Sequence, residues 1–234
     1  LPAAALQATT RSSFAATVTK YTLKGRLSIQ CPTAGTQGRF CPECLLDSGG
    51  RWRLSWTYAF VAVCPRHRRV LSDICPTCGK QPRVRPQPMY LVPTPGHCHN
   101  RPPKTYDPRQ RCGNDLSQET ARLEASAAML TAQRAQFATI SQGVGRFGMY
   151  QENPQPANVV MEDIRTIARI AVRALIRGED VDTHDIPTVT LGEALSETDA
   201  LRRERPHTSA LAAIGATLAV RAMQDTDALL QLLH

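Results

Sequence analysis

Hydrophobic and polar positions divide the chain in two. From Gly113 onward apolar residues recur at helical spacing. Behind Ser117, a residue suited to cap a helix, Leu123, Leu130 and Phe137 return every seven positions with Ala127 between them, and Gly143 ends the run. A second helix is predicted over about 158–177, with Val160, Ile164, Ile167, Ala171 and Leu175 on one face and Gly178 as its stop. Residues 178–187 read as an acidic linker, and further helices are predicted over about 191–201 and 208–233. Ahead of Gly113 this periodicity is missing. Residues 1–40 are interrupted at Pro2, Gly25 and Gly35 and read as one short helix at most, followed by loop. Residues 75–108 hold nine of the 17 prolines, which excludes helix there and predicts turns with short strands. Between these stretches Trp56, Phe60 and Val63 fall at i, i+4 and i+7, the spacing of a short helix. The expected fold class is mostly α, with small irregular lobes ahead of an α-helical C-terminal region.

Composition adds two constraints. With 42% hydrophobic and 21% charged residues the chain is globular, and no aromatic residue follows Tyr150, so the core of the last third must be aliphatic. No uninterrupted apolar stretch reaches the roughly 18 residues of a membrane span. No secretory signal pattern opens the sequence either, and a cytoplasmic protein is expected. The chain opens at Leu1 without an initiator Met and reads as a fragment.

Charge is segregated. Between Lys20 and Cys112 stand 16 Lys/Arg against four acids, whereas from Gly113 to His234 stand 11 Arg against 16 acids. A polyanion partner is therefore expected for the first half and none for the second. Of the 28 cations 24 are Arg, the residue suited to bidentate phosphate and guanine contacts, although base composition of the genome explains such a bias equally well.

The chemistry sits in the cysteines. Cys41-Pro-Glu-Cys44 is followed after 19 residues by Cys64-Pro-Arg-His67, and Cys75-Pro-Thr-Cys78-Gly79 is followed after 19 by Cys98 and after 13 more by Cys112-Gly113. A Cys-x-x-Cys turn sets two sulfurs on one side of a tight loop, and two such half-sites make the closed tetrahedral shell of structural zinc. Pro presets φ after the first ligand and Gly accepts positive φ after the last, so the irregular lobes are expected to be of the zinc-ribbon or zinc-knuckle kind. Two Zn²⁺ ions are expected, one on Cys41, Cys44, Cys64 and His67, the other on Cys75, Cys78, Cys98 and Cys112, with His97 or His99 as alternatives to either of the last two. Cys31 is left over as a buried or free thiol. A disulfide framework needs an oxidising compartment, and a redox Cys-x-x-Cys needs a βαβ setting that the proline content denies. Trp56, Phe60 and their neighbours would cover the first site as a miniature core. Arg51, Arg53, Arg66, Arg68 and Arg69 would then lie outside it, close together, as a candidate phosphate-binding patch or an ordinary solvated face.

The run from Phe40 to Lys80 resembles the TniQ family. The family's Cys-Pro-x-Cys-Leu, Trp, Cys-Pro-x-His-x-x-x-Leu and Cys-Pro-x-Cys-Gly elements fall on Cys41 to Leu45, Trp56, Cys64 to Leu71, and Cys75 to Gly79. Cys112-Gly113-Asn114-Asp115-Leu116 is similar to the end of its second finger. The resemblance implies a transposition accessory factor of the TniQ/TnsD type. Such a factor selects or marks target DNA and recruits an AAA+ ATPase of the TnsC kind, with a transposase or a ribonucleoprotein targeting complex as further partners. It performs no strand transfer itself, and its expected place is the cytoplasm, associated with the nucleoid. The family's N-terminal helix-turn-helix and full C-terminal DNA-binding extension are not matched, so 1–40 reads as a remnant of an upstream domain, 41–116 as the double zinc lobe and 117–234 as a helical interaction lobe. Nothing in the residues reads as catalytic: no carboxylate set stands in a metal-catalytic context, and no phosphate-cradling Gly-x-x-x-x-Gly-Lys loop occurs. The competing reading from the residues is a zinc-stabilised protein-interaction scaffold, or a DNA-binding regulator outside any transposon.

Overall fold

A computed structural model describes residues 38–83, 92–102, 107, 109–119, 121–201, 208–225, 227–228 and 230, and the backbone of two short strands, β1 (Thr19–Tyr21) and β2 (Leu27–Ile29). These two strands pair antiparallel, where the sequence suggested a short helix and loop. Cys31 lies outside the described residues.

Helix α1 (Pro42–Asp47) begins where the first motif begins. Cys41 is its extended N-cap and Pro42 its first residue, a position where the missing N–H has no intrahelical partner to lose. The chain then passes through a single 3₁₀ turn (Leu54–Thr57) into a hairpin of β3 (Val63–Cys64) and β4 (Arg69–Val70). The helix expected through Trp56, Phe60 and Val63 therefore does not form. The three side chains are buried all the same, and the β-branched run into Pro65 favours the strand. A further extended segment lies beside β4: Val70 donates to Leu123 O at 2.9 Å and Ala125 to Arg68 O at 3.0 Å.

That pairing moves the start of the next helix. Asp115 caps a 3₁₀ turn at Leu116–Gln118, and helix α2 runs over Ala127–Gln142 with Ser126, not Ser117, as its N-cap; the Met129 N–H donates to Ser126 Oγ at 3.2 Å. Leu123 O and the Ala125 N–H are spent on the hairpin backbone, and Ala121 O on the Arg69 guanidinium, so a helix cannot use them. Gly143 (φ 73°) closes α2 as expected. A two-residue ribbon, β5 (Val144–Gly145) with β6 (Gln155–Pro156), leads into α3 (Ala157–Arg177), which ends at Gly178 (φ 75°). Helix α4 spans Thr188–Leu201 and α5 spans Ser209–Gln224.

Helix α5 is the centre of the molecule. Apart from Ala212 and Arg221, every residue from Ser209 to Met223 is buried. It packs against α2, α3 and α4 and touches β4, and its small Ala and Gly residues allow that close approach. One apolar cluster runs from the cysteines of both motifs through Phe40, Trp56 and Leu116 to Ile140, Val160, Ile164 and Met223. A second joins Val63 and Val70 of the hairpin to Leu130, Ile186, Leu211, Ile214 and Leu218. The core thus crosses the 116/117 division without a break. Gln133 on α2 reinforces it: its Oε1 accepts from the Ala62 and Val63 N–H groups at 2.9 and 3.1 Å, satisfying donors that would otherwise be buried unpaired.

Candidate metal centres

The first set of ligands is assembled by α1 and the hairpin. Cys41 and Cys44 sit one helical turn apart at the start of α1, Cys64 ends β3, and His67 lies in the turn between β3 and β4. Cys44 Sγ is 3.6 Å from Cys64 Sγ, and His67 Nδ1 is 3.4, 3.2 and 3.6 Å from the sulfurs of Cys41, Cys44 and Cys64. Metal–ligand lengths for tetrahedral zinc put neighbouring sulfurs about 3.8 Å apart and a sulfur and nitrogen about 3.6 Å apart. The cluster has these dimensions. On its far side His67 Nε2 lies 3.2 Å from Asp47, so that the Nε2–H donates to the carboxylate and the Nδ1 lone pair faces the sulfurs. A carboxylate on the outer nitrogen of a metal-binding imidazole fixes both tautomer and ring orientation. Asp47 is a residue the sequence reading did not single out, although its place one turn after Cys44 is a usable signal.

Thiols this close cannot all ionise unaided. Hydrogen bonding with Cys44, then with Cys64, and burial hold the Cys41 thiol well above its ordinary value. Cys44 is drawn down by Cys41 but pushed up more by Cys64 and by burial, to about 11. Cys64, hydrogen-bonded by Cys41 and Cys44, is held well below its usual range. A cation among them removes the conflict, because it favours the thiolate at every sulfur.

In the second set Cys75 and Cys78 flank a tight turn, while Cys98 and Cys112 lie on two paired extended segments. Cys98 N–H donates to Asn114 O at 2.8 Å, Gly113 N–H to Cys98 O at 2.9 Å, and Cys112 N–H to Asn100 O at 2.9 Å. Sulfur separations are 3.8 Å for Cys75–Cys112 and 3.7 Å for Cys78–Cys98. The 13-residue excursion between Cys98 and Cys112 is therefore closed by a backbone ladder. The histidine alternatives go elsewhere: His97 Nδ1 is 2.9 Å from Pro95 O and His99 Nε2 is 3.0 Å from Thr94 O. Gly79 (φ 64°) and Gly113 (φ 71°) take the left-handed position after the last ligand of each half-site. Each set, with all its ligand atoms within 4.8 Å of one another, could hold one metal ion.

In the first set the corresponding position is filled by Arg68, at φ 51°. A left-handed non-glycine residue costs roughly 1–2 kcal/mol. Arg68→Gly is therefore expected to stabilise the protein by up to about 1 kcal/mol, read as a higher urea midpoint, since glycine's greater chain entropy offsets part of the relief. A lower midpoint would show that the Arg68 side chain contributes more than its backbone costs.

The five arginines placed around the first set do not share one fate. Arg51, Arg53, Arg66 and Arg68 are exposed, with Arg66 3.0 Å from Asp47. Arg69 is a correction to the expected patch: it is buried, pairs with Glu43 at 3.0 Å, and donates to Ser72 Oγ and Ala121 O at 3.2 and 2.7 Å. Its guanidinium ties α1 to the hairpin and to the segment ahead of α2, so no face is left for phosphate. A second buried arginine, Arg39, was not foreseen. It donates to Ala59 O and Val61 O at 2.6 and 3.1 Å and lies 3.3 Å from Asp73. Asp73 in turn accepts from the N–H and hydroxyl of Ser209, at 2.5 and 2.9 Å, at the start of α5.

The two metal centres form one body. Gly50 (φ 84°) meets the loop of the second set so closely that a Cβ there would stand 2.5 Å from Pro95 C. Trp52 packs between Phe40 and Trp56, with the Arg83 guanidinium 5.0 Å from its ring centroid.

This is a helical protein carrying two Cys/His clusters on irregular, hairpin-based supports, each able to take a metal ion. Residues 1–71 match the model of the TniQ family, a family associated with transposition. The match takes in residues 1–39 as well as the whole first ligand set, and it stops before the second. No curated protein and no solved structure matches the chain. Among the described residues no helix is long and apolar enough to cross a membrane.

Proposed function

We propose that the protein is a non-catalytic transposition accessory factor that binds target DNA and recruits an AAA+ ATPase of the TnsC kind. Residues 41–116 hold two structural Zn²⁺ ions and present cations to DNA, and 117–234 form the helical part that meets the ATPase. The observation that carries this reading is the overlap of the family match with a complete ligand set: residues 1–71 contain Cys41, Cys44, Cys64 and His67 together with the exposed Arg51, Arg53, Arg66 and Arg68. Thiolate and imidazole donors in a tetrahedral arrangement suit zinc, and four protein ligands leave no open coordination position for catalysis. The support is folding chemistry, and the exposed cations are held on it at little entropic cost.

Phosphate contact has a measurable signature. Each Arg→Ala change at Arg51, Arg53 or Arg66, and Arg68→Gly, is expected to lower the magnitude of the log–log salt slope of DNA binding by about 0.9, with equal loss across sequences. Fluorescence anisotropy on labelled duplexes between about 50 and 200 mM salt reads both quantities. A quadruple variant that keeps two zinc ions and wild-type affinity and slope would remove these residues from the interface. Co-purification with an AAA+ ATPase of the TnsC kind, with and without DNA, tests the recruitment half of the proposal.

A further inference from the structure

The C-terminal half is acidic as a whole, and its overall charge predicts no polyanion partner. The described structure shows that this average conceals a local reversal on α3. Arg165, Arg169, Arg173 and Arg177 recur every four residues, and no acidic residue occurs from Ile164 to Gly178. Helical spacing places the four in one slowly turning row about 18 Å long. The opposite side of α3, with Val160, Ile164, Ala171 and Ala174, is buried against the core.

The row faces solvent. Arg169, Arg173 and Arg177 are exposed and Arg165 is partly exposed. The elements packed on α3 are α5, α2 and the β5–β6 ribbon, and the buried positions show that they lie away from the arginines. The two end members are neutralised in part, Arg165 by Glu162 at 3.2 Å and Arg177 by Glu179 at 2.5 Å. For the central Arg169 and Arg173 there is no ion pair among the described residues. Solubility alone does not require a single-sign row in a half that otherwise carries more acids than bases.

We propose that this face of α3 is a second nucleic-acid surface, separate from the first metal centre, that tracks the phosphate backbone of one strand of a duplex. The row is long enough to span more than one phosphate of a single strand, so the central arginines can each have a partner. A rigid helix presents the guanidinium groups in register, and phosphate accepts their hydrogen bonds bidentately. The contact reads no sequence, because no base edge is reached from a backbone-following row.

The test uses the full chain, zinc-loaded, with a labelled duplex of arbitrary sequence. Arg169→Ala/Arg173→Ala is expected to lower the magnitude of the log–log salt slope by about 1.8, and Arg169→Glu/Arg173→Glu to weaken binding further. Circular dichroism and zinc content identify variants that have stayed folded; both positions are exposed, so the fold should be retained. Unchanged affinity and slope in a folded double variant would overturn the proposal. So would a double variant that loses binding to poly-glutamate while keeping wild-type DNA binding, which would mark the row as a site for an acidic protein segment. The parallel quadruple variant at the first metal centre separates the two surfaces. If only the α3 variant alters the slope, the DNA reading of the metal centre fails and this one stands; if only the metal-centre variant does, the reverse holds.

Discussion

Cys64→Ser is expected to unfold the whole protein, helices included, and not only the metal-binding end. Removing one of four ligands removes most of the binding free energy of a structural zinc ion, roughly 10 kcal/mol or more, in a site where metal binding and folding are one equilibrium. Net stability of a protein of this kind is about 5–15 kcal/mol, so the loss is comparable to the whole. The structure adds the reason that it spreads. Cys64 is the last residue of β3, whose partner β4 packs on α5, and the cysteines belong to the same apolar cluster as Ile140, Val160 and Met223. Far-UV circular dichroism of the variant should show loss of helix together with loss of zinc, and a chelator should do the same to the wild type. A variant that gives up one metal ion yet keeps a wild-type helical signal and a single cooperative melt would show that the helices stand without the first metal centre.

How far the sequence discloses this architecture depends on the range over which each feature is determined. The ligand sets were legible because spacing within a Cys-x-x-Cys turn is local chemistry: all eight residues named from the motifs converge in space. The helix stops at Gly143 and Gly178 were legible for the same reason, since a left-handed cap is written at one position. What sequence periodicity could not show is competition for backbone partners. Residues 117–126 carry an acceptable helical pattern, but their segment hydrogen-bonds to β4, and that partner lies some 50 positions earlier. The same is true of charge. Arg66, Arg68 and Arg69 look alike in a row of basic residues, and only the fold reveals that Arg69 faces inward to Glu43 and Ala121 O. The row on α3 is written in the four-residue spacing of Arg165, Arg169, Arg173 and Arg177, but the acid-rich composition around it hides it in any average of charge.

The contact between Asp73 and Ser209 is equally invisible in sequence, with 136 positions between its ends, and its removal should be the most damaging change outside the metal ligands. Asp73 stands between a wholly buried guanidinium, Arg39, and the first turn of the central helix. Burial raises its carboxyl above the ordinary range in spite of the Arg39 charge and the Ser209 hydrogen bonds. Burial likewise lowers the Arg39 guanidinium below its ordinary value. Such a pair contributes little net stability when complete, but breaking it strands a buried charge. Asp73→Ala should therefore cost about 3–5 kcal/mol, to which the loss of a carboxylate at the positive end of α5 adds a smaller amount. Urea denaturation followed by circular dichroism reads this directly, with zinc content checked because Cys75 is two residues away. The decisive comparison is the double variant Arg39→Met/Asp73→Leu against its own single variants Arg39→Met and Asp73→Leu. Removing both charges together should recover much of the loss, giving a coupling free energy well above the roughly 0.5 kcal/mol expected of independent sites. If Asp73→Ala costs less than about 1 kcal/mol, or if the two substitutions simply add, the junction between the metal-binding end and α5 is held by apolar packing and not by this buried pair.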